Sequence, residues 1–325
     1  MKEFDFTKPD IDFTKYLIDL SEPLKEIPPM FSIGGSPVFS RGEISMITGK
    51  AKSRKSFLIT LLASRMLDED LNLKILLIDT EQNKIRVAKS AKRIHKLLEW
   101  DEDKNNDRLK VCAMRELTAQ ERLEITLSLI EKLKPDFIFI DGCRDLIIDF
   151  NSLSESSDLI QKLMSYSTRY NCHICSVLHE NPMSDKTRGH LGTEFVNKIE
   201  TALRVVANGN VSTVSGSYTK NKSFDDFHFC VNESGLPEYC EPEEKPKNND
   251  RLKSLFNELL PTTCCLSYSD LRERVIQKTE KAKQTAERYI KDAVNDGIII
   301  KNAAGLYYSF LNNESNATKD EILPF

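Results

Sequence analysis

The amino-acid sequence alternates short apolar runs with longer segments in which apolar residues recur every three or four positions. The apolar runs have the length of strands buried on both faces, and they are 44–47, 75–78, 137–140 and 173–178. The longer segments have charged flanks and predict helices, and they are 55–67, 84–98, 119–133 and 156–166. Strands that alternate with helices predict an α/β fold, with a mainly parallel twisted sheet flanked by helices on both sides.

The pattern changes after Thr201. Segments 202–206, 211–218 and 227–231 predict consecutive antiparallel strands. Residues 241–250 (EPEEKPKNND) contain two prolines, many charges and no apolar residue, which is typical of a linker.

Beyond the linker the chain predicts a small module of three helices and a hairpin. The helices are 251–260, 268–277 and 281–295, and the hairpin strands are 298–300 and 306–308. Gly297 is suited to end the third helix, whose buried stripe we expect at Ala282, Ala286, Ile290 and Val294. The module resembles a winged helix-turn-helix. The predicted organisation is an N-terminal arm (1–28), an α/β domain (29–240), the linker (241–250), the winged module (251–311) and a flexible tail (312–325).

Composition and charge narrow the class of protein. The 325 residues are 40% hydrophobic and 30% charged, as in soluble globular proteins. The net charge of −4 means that any contact with nucleic acid must come from local basic patches. No apolar run approaches membrane-spanning length, and the N-terminus MKEFDFTKPD lacks the apolar core of a signal peptide. We therefore expect a cytoplasmic protein without a membrane partner.

Eight cysteines in a chain of this length do not indicate a disulfide scaffold. Cys172 and Cys175 form a C-x-x-C, but they lie in an apolar run, and no second pair follows at zinc spacing. We interpret them as part of a buried strand.

The segment between the first strand and the first helix is close to the phosphate-loop pattern G-x-x-x-x-G-K-[ST]. In that pattern, backbone N–H groups and the helix N-terminus hold phosphate, the lysine reaches the β- and γ-phosphates, and the hydroxyl binds Mg²⁺. The predicted ATP-binding residues are Gly49, Lys50, Ala51, Lys52, Ser53, Arg54, Lys55, Ser56 and Phe57.

Arg54 departs from the pattern because it replaces the second glycine. If that position needs a positive φ, arginine costs roughly 1 kcal/mol there. Its guanidinium is then expected along the phosphates or toward a neighbouring subunit. The alternative is a basic strand-to-helix loop without a ligand.

Acidic and polar residues follow the next three predicted strands. Glu81 follows the second strand and could polarise an attacking water. Asp141 ends the third and, with Ser56, would hold Mg²⁺. His179 and Asn181 follow the fourth, where they could approach the γ-phosphate. Because ligands bind at the carboxyl ends of parallel strands, we expect these groups around one site.

In this order of motifs the chain resembles RecA-like ATPases, and within them it is similar to RepA-type replicative helicases of plasmids and mobile elements, distant relatives of DnaB helicases. The resemblance covers about residues 29–229. It also includes the segments 31–35 (FSIGG), 40–43 (SRGE), 140–146 (IDGCRDL) and 188–193 (RGHLGT).

The resemblance implies a homo-oligomeric ring, usually a hexamer, with ATP and Mg²⁺ bound between adjacent subunits. It also implies basic fingers that reach the γ-phosphate of the neighbouring subunit, and Lys220 and Lys222 match that element. A solvated turn is the alternative for these two lysines.

Two segments are candidates for contact with DNA. The resemblance places DNA-contacting loops after the fourth strand, where the polar segment 181–193 carries Lys186, Arg188 and His190. In the winged module, the third helix carries Lys283 and Arg288 and could enter a major groove. A loop that transmits the nucleotide state, and a protein-binding module, are the respective alternatives.

Three functions remain open from the sequence. The first is a DNA-stimulated ATPase that translocates on single-stranded DNA as a ring helicase. The second is an ATPase that acts as a regulator or loader. The third is a nucleotide-responsive DNA-binding protein in which Arg54 has abolished hydrolysis, although the retained Glu81 and Asp141 argue against it.

Overall fold

The structure is a computed structural model that describes residues 14–21, 23, 28–181, 187, 189–241, 248–261, 264–302 and 305–309. The chain divides into two compact units between Pro242 and Glu243, inside the segment 241–250. The predicted tail, 312–325, and most of the predicted arm, 1–28, lie outside the described residues.

The first unit contains eleven described strands and five described α-helices. The strands are β1 Phe31–Ile33, β2 Ser36–Phe39, β3 Ile44–Gly49, β4 Ile75–Asp79, β5 Leu109–Ala113, β6 Phe137–Asp141, β7 His173–His179, β8 Thr201–Asn208, β9 Val211–Thr219, β10 Phe227–Val231 and β11 Pro237–Tyr239. The helices are α1 Lys55–Glu69, α2 Lys84–Leu97, α3 Ala119–Leu133, α4 Leu153–Tyr170 and α5 Gly189–Lys198.

Nine of these strands form one sheet in the order β11-β10-β9-β8-β3-β7-β6-β4-β5. All the pairs from β8 to β5 are parallel, and β8 to β11 pair in antiparallel fashion. The prediction of an α/β fold with a large, mainly parallel sheet is confirmed.

The sheet is buried on both faces because helices cover each of them, and alternate residues of each strand point to opposite sides. Ile75 and Leu77 of β4 pack in one core with residues of α1 and α2. Leu76 and Ile78 pack in a second core with residues of α3, α4 and α5. This two-sided burial explains why the strands read as continuous apolar runs.

The eight cysteines are free. Cys175 lies in the buried strand β7, as interpreted, whereas Cys172 is buried directly before that strand; Cys143 is buried as well. Burial raises the pKa of each of these three thiols to about 12. At neutral pH they are protonated and inert.

The second unit has its own core. Its elements are α6 Asn248–Leu259, α7 Tyr268–Thr279, α8 Lys283–Asn295, β12 Ile299–Lys301 and β13 Tyr307–Ser309. The two strands form an antiparallel hairpin, and Leu252, Phe256, Leu271 and Ile290 are among the residues packed between the elements.

Gly297 ends α8 at φ 68. Its N–H donates to the Val294 carbonyl and that of Ile298 to the Ala293 carbonyl, the two bonds of a Schellman motif. The predicted stripe of α8 is wrong in part: Ala282 and Val294 are exposed, and Ala293 is buried beside Ala286 and Ile290. Ala282 precedes the helix, and Val294 leaves the buried stripe because each step of four residues overshoots a full turn by about 40°, whereas Ala293, seven residues after Ala286, stays on it.

Candidate functional site

The phosphate-loop segment joins the carboxyl end of β3 to α1. Lys52 and Arg54 are in the left-handed region, at φ 64 and 69, so the position where the motif has glycine does require a positive φ. Gly49 admits no side chain, since a Cβ there would lie 2.6 Å from the Val205 carbonyl oxygen and from Ser53 Oγ. The loop therefore lies tightly against β8.

Lys55 is buried inside this loop. Its Nζ donates to the carbonyl oxygens of Gly49 at 3.0 Å and Lys50 at 2.9 Å. A third contact of 3.2 Å joins Nζ to Nδ1 of His179. The ammonium group is thus held at the centre of the loop by groups that a phosphate could replace.

Ser56 and Asp141 are in direct contact, as expected for two groups that share a ligand. Ser56 Oγ donates to Asp141 Oδ2 at 2.6 Å. Burial raises the pKa of Asp141 to about 6, against the opposing effect of the Ser56 hydrogen bond, and the charges of Asp79 and Glu81 raise it further. This carboxyl group lacks a cationic partner strong enough to offset its desolvation.

His179 connects Lys55 to Glu81. Its Nδ1 accepts from the Lys55 ammonium, so the ring proton lies on Nε2, which is 3.3 Å from Glu81 Oε1. This hydrogen bond is the main cause of the lowered pKa of Glu81, and the Lys55 and Arg144 charges act in the same direction. Glu81 is therefore ionised at neutral pH.

Asp79, which the sequence reading left unassigned, shapes the turn before Glu81. Its Oδ1 accepts the backbone N–H groups of Glu81 at 3.0 Å and Gln82 at 2.7 Å. The neighbouring strand end is fixed by Gly142 at φ 97, where a Cβ would lie 2.1 Å from Thr80 Oγ1. Together these contacts set the spacing between the ends of β4 and β6.

The four strand ends are adjacent, because β3, β7, β6 and β4 are neighbours in the sheet. They open into a cavity of about 550 Å³. Its lining includes Lys55, Ser56, Glu81, Asp141 and His179. Asn181, predicted at the same place, instead lines a second cavity together with Glu180, because the chain turns away after His179.

Sequence reasoning missed the contribution of α2 to this cavity. Arg86, Lys89 and Arg93 are among its lining residues. The Arg93 guanidinium lies 4.7 Å from the centroid of the Phe57 ring, and burial lowers the pKa of Arg93. The available signal was composition: α2 contains six Lys and Arg residues and no Asp or Glu.

Lys220 and Lys222 are not brought to this cavity. β9 runs antiparallel to β8, so Lys220 lies near the amino ends of the parallel strands, where its N–H donates to the Glu200 carbonyl. Lys220 Nζ lies 3.4 Å from Glu43 Oε2, and Lys222 is exposed. Neither lysine can act on the phosphate-loop segment of the same chain from this position.

Of the predicted DNA contacts, Lys186 and Arg188 lie outside the described residues. His190 is exposed in the first turn of α5. Because α5 begins at Gly189, residues 189–193 form a helix where a loop was predicted. Gly189 permits this start, because a Cβ there would lie 2.5 Å from the Phe150 ring. Lys283 and Arg288 are exposed on α8 of the second unit.

Neither a family model nor a curated protein matches this chain significantly. Among the described residues, no group of three or more His, Cys, Asp or Glu side chains is arranged to hold a metal ion. In the same part of the chain, no helix has the length and apolar character needed to cross a membrane.

Proposed function

We propose that the chain binds a nucleoside triphosphate with Mg²⁺ at the phosphate-loop cavity and hydrolyses it, as a RecA-like P-loop ATPase. One observation carries this proposal. Lys55, Ser56, Glu81, Asp141 and His179 follow four adjacent strands and line the same cavity. Phosphoryl transfer to water requires a cation at the phosphates, oxygen ligands for Mg²⁺ and a group that orients the water, and these residue types can supply all three.

The loop fits a phosphate group. Ser53 Oγ is buried, with the residue 6% exposed, and it has no hydrogen-bond partner among the described residues. Leaving a buried hydroxyl unbonded costs about 1–3 kcal/mol, which a phosphate oxygen would remove. The N-terminus of the 15-residue helix α1 adds oriented N–H groups to the same place.

Ser56 and Asp141 fit Mg²⁺, which prefers oxygen ligands and keeps several waters in nucleotide sites. When bound, the ion would neutralise charge on the phosphates. The absence of a three-ligand cluster is compatible with this, because such sites take one or two protein ligands and complete the shell with water and phosphate.

Other side chains of the cavity would activate the water, stabilise the developing charge and attract the nucleotide. Glu81 is ionised and held by His179, so it can orient a water and accept its proton. Lys55 exchanges its bonds to loop carbonyls for phosphate oxygens and stabilises charge that develops there. Arg86, Lys89 and Arg93 raise the positive potential of the cavity and attract the polyanion.

We further propose that the ATPase is a motor on DNA, a ring-forming helicase or translocase of a plasmid or mobile element. The position of Lys220 and Lys222, away from the cavity of their own subunit, supports a role toward a neighbouring subunit. In the second unit, three helices, a hairpin and the exposed Lys283 and Arg288 support a winged-helix module that binds DNA.

Steady-state ATP turnover with and without single-stranded DNA tests this proposal against its two alternatives. Stimulation by DNA supports the motor. An ATP turnover rate that is the same with and without DNA favours a regulator or loader. Nucleotide binding without turnover favours a nucleotide-responsive DNA-binding protein.

The Glu81→Gln variant tests the catalytic assignment. We expect turnover to fall at least roughly a hundredfold, because an amide cannot accept the proton of the attacking water. Nucleotide affinity, measured by fluorescence anisotropy, is expected to stay within about twofold, since Glu81 does not hold phosphate. Rapid turnover by this variant would reject the assignment.

A further inference from the structure

Arg54 has an unusual combination of backbone and side-chain contacts. Its backbone is left-handed, at φ 69 and ψ 28, a conformation that costs an L-residue about 1 kcal/mol or more. Its guanidinium turns away from the loop to the hairpin between β8 and β9. There Nη2 donates to the Gly209 carbonyl at 2.7 Å and Nη1 to Ser212 Oγ at 3.0 Å.

We propose that Arg54 is a positioning residue that ties the phosphate loop to the β8–β9 hairpin and holds the loop in its binding conformation before nucleotide arrives. This inference rests on the proposed nucleotide site. It also corrects the expectation that the guanidinium lies along the phosphates or toward a neighbouring subunit, because both terminal nitrogens bind the hairpin of the same chain.

The loop is held against the β8–β9 hairpin at its other end as well. Gly49 lies so close to β8 that a Cβ would approach the Val205 carbonyl oxygen to 2.6 Å. The segment between Gly49 and Arg54 therefore contacts the β8–β9 hairpin at both ends, with Gly49 against β8 and Arg54 against the turn and β9. A glycine at position 54 would fit the backbone without strain but would leave the second end of the loop untied.

Such a tie has a thermodynamic consequence for binding. A loop that is ordered only part of the time binds its ligand more weakly, in proportion to the time spent in the competent state. Hydrogen bonds to a charged group are worth more than neutral ones, so two of them outweigh the strain at Arg54. The side-chain contacts of Arg54 thus order the loop in advance, whereas a loop without them is ordered only when the ligand binds.

The decisive variant is Arg54→Gly, which restores the common phosphate-loop motif while removing the tie. We expect the Kd for a fluorescent ATP analogue and the KM for ATP to rise about tenfold. The kcat of the assembled protein is expected to stay within about twofold, since the fully bound loop is unchanged. A general loss of folded protein would instead lower kcat and leave KM unchanged.

Ser212→Ala is the matched variant, because it removes one acceptor of the guanidinium without altering the loop. It should raise the Kd about threefold in the wild-type background and have no effect in Arg54→Ala. Hydrogen exchange of the amides of residues 50–54 in nucleotide-free protein should be faster in Arg54→Gly and Ser212→Ala than in wild type.

Several results would overturn the inference. Arg54→Gly restores the glycine of the common motif, so equal or tighter nucleotide binding by that variant would refute the tie. An effect of Arg54→Ala without any effect of Ser212→Ala would show that the guanidinium acts on the ligand directly. Failure of the wild-type protein to bind nucleotide refutes the proposed site instead, and the exchange measurement then still decides whether Arg54 orders the loop.

Discussion

Two of the cavities near the carboxyl ends of the parallel strands differ in whether their charged side chains are paired with one another. The first, of about 550 Å³, is the phosphate-loop cavity. The second, of about 660 Å³, is lined by Thr48, Glu180 and Arg204 together with residues of α5. Adjacent residues of the chain separate them, since His179 lines the first and Glu180 the second.

In the second cavity a buried carboxylate and a guanidinium of the lining form an ion pair. Glu180 is 2% exposed, and its carboxylate accepts from Arg204 Nε at 2.8 Å and Nη2 at 3.3 Å. In the first cavity, Arg86, Lys89 and Arg93 form no ion pair with any carboxylate among the described residues. A paired charge contributes to the folded state, whereas an unpaired cluster of cations is expected to bind an anion.

Lys55→Ala gives the largest effect that this comparison predicts. The ammonium is central to the loop, so we expect the affinity for ATP to fall roughly a thousandfold, about 4 kcal/mol. Isothermal titration calorimetry measures this directly. Affinity within a factor of ten of wild type would mean that the first cavity is not a phosphate site.

Glu180→Ala should act on stability instead. Removing the carboxylate takes from Arg204, whose side chain is 25% exposed, the acceptor of two hydrogen bonds, and the expected loss in the free energy of unfolding is about 3 kcal/mol. Urea unfolding of the purified protein checks this value. The double variant Glu180→Ala and Arg204→Met should recover most of the loss, and a single variant as stable as wild type would contradict the assignment.

Asp141 should make stability depend on pH. Its pKa of about 6 in the folded chain exceeds the ordinary value of 3.8, so between these values the native state binds more protons than the unfolded state. The free energy of unfolding should therefore fall as pH rises from about 4 to about 7, by about 2 kcal/mol from this group. The difference between wild type and Asp141→Asn, measured by urea unfolding at both pH values, isolates the effect.

An Asp141→Asn variant with the same pH dependence as wild type would show that another group titrates. Saturating Mg²⁺ and nucleotide should reduce the dependence, because a bound cation favours the ionised carboxylate.

The cations of α2 give the smallest effects. Arg86→Gln, Lys89→Gln and Arg93→Gln should each raise the Kd for ATP about two- to fivefold, and less so at high salt, where exposed charges are screened. Lys96→Gln, on the same helix but outside the cavity lining, is the control. Equal effects of all four substitutions would reduce the role of α2 to net charge.

Much of the first unit could be predicted because its elements carry their own local signals. The bounds of α3 were predicted as observed, and its N-terminus has a capping box between Thr118 and Glu121. The strands β3, β4, β6 and β7 were predicted because each is buried on both faces. The edge strand β5 was missed because only Leu109 of its five residues is buried, which weakens the apolar signal.

The candidate site could be predicted only where residues belong to a local motif or stand at a strand end. Asp141 and His179 end strands and Glu81 follows one closely, while Lys55 and Ser56 belong to the loop motif that opens α1, and the structure places all five around one cavity. The cations of α2 and the contact of Arg54 with Gly209 and Ser212 depend on how distant segments pack, over separations of 155 and 158 residues for the latter. Neither the local hydrophobic pattern nor a short motif predicts contacts between segments so far apart in the sequence.

The buried thiols have a practical consequence for labelling. Maleimides and iodoacetamides react with thiolates, and a pKa of about 12 leaves almost none at Cys143, Cys172 or Cys175 at pH 7. Cys265 is the exposed cysteine and belongs to the second unit. A fluorophore can therefore be attached there first, without replacing the three buried cysteines.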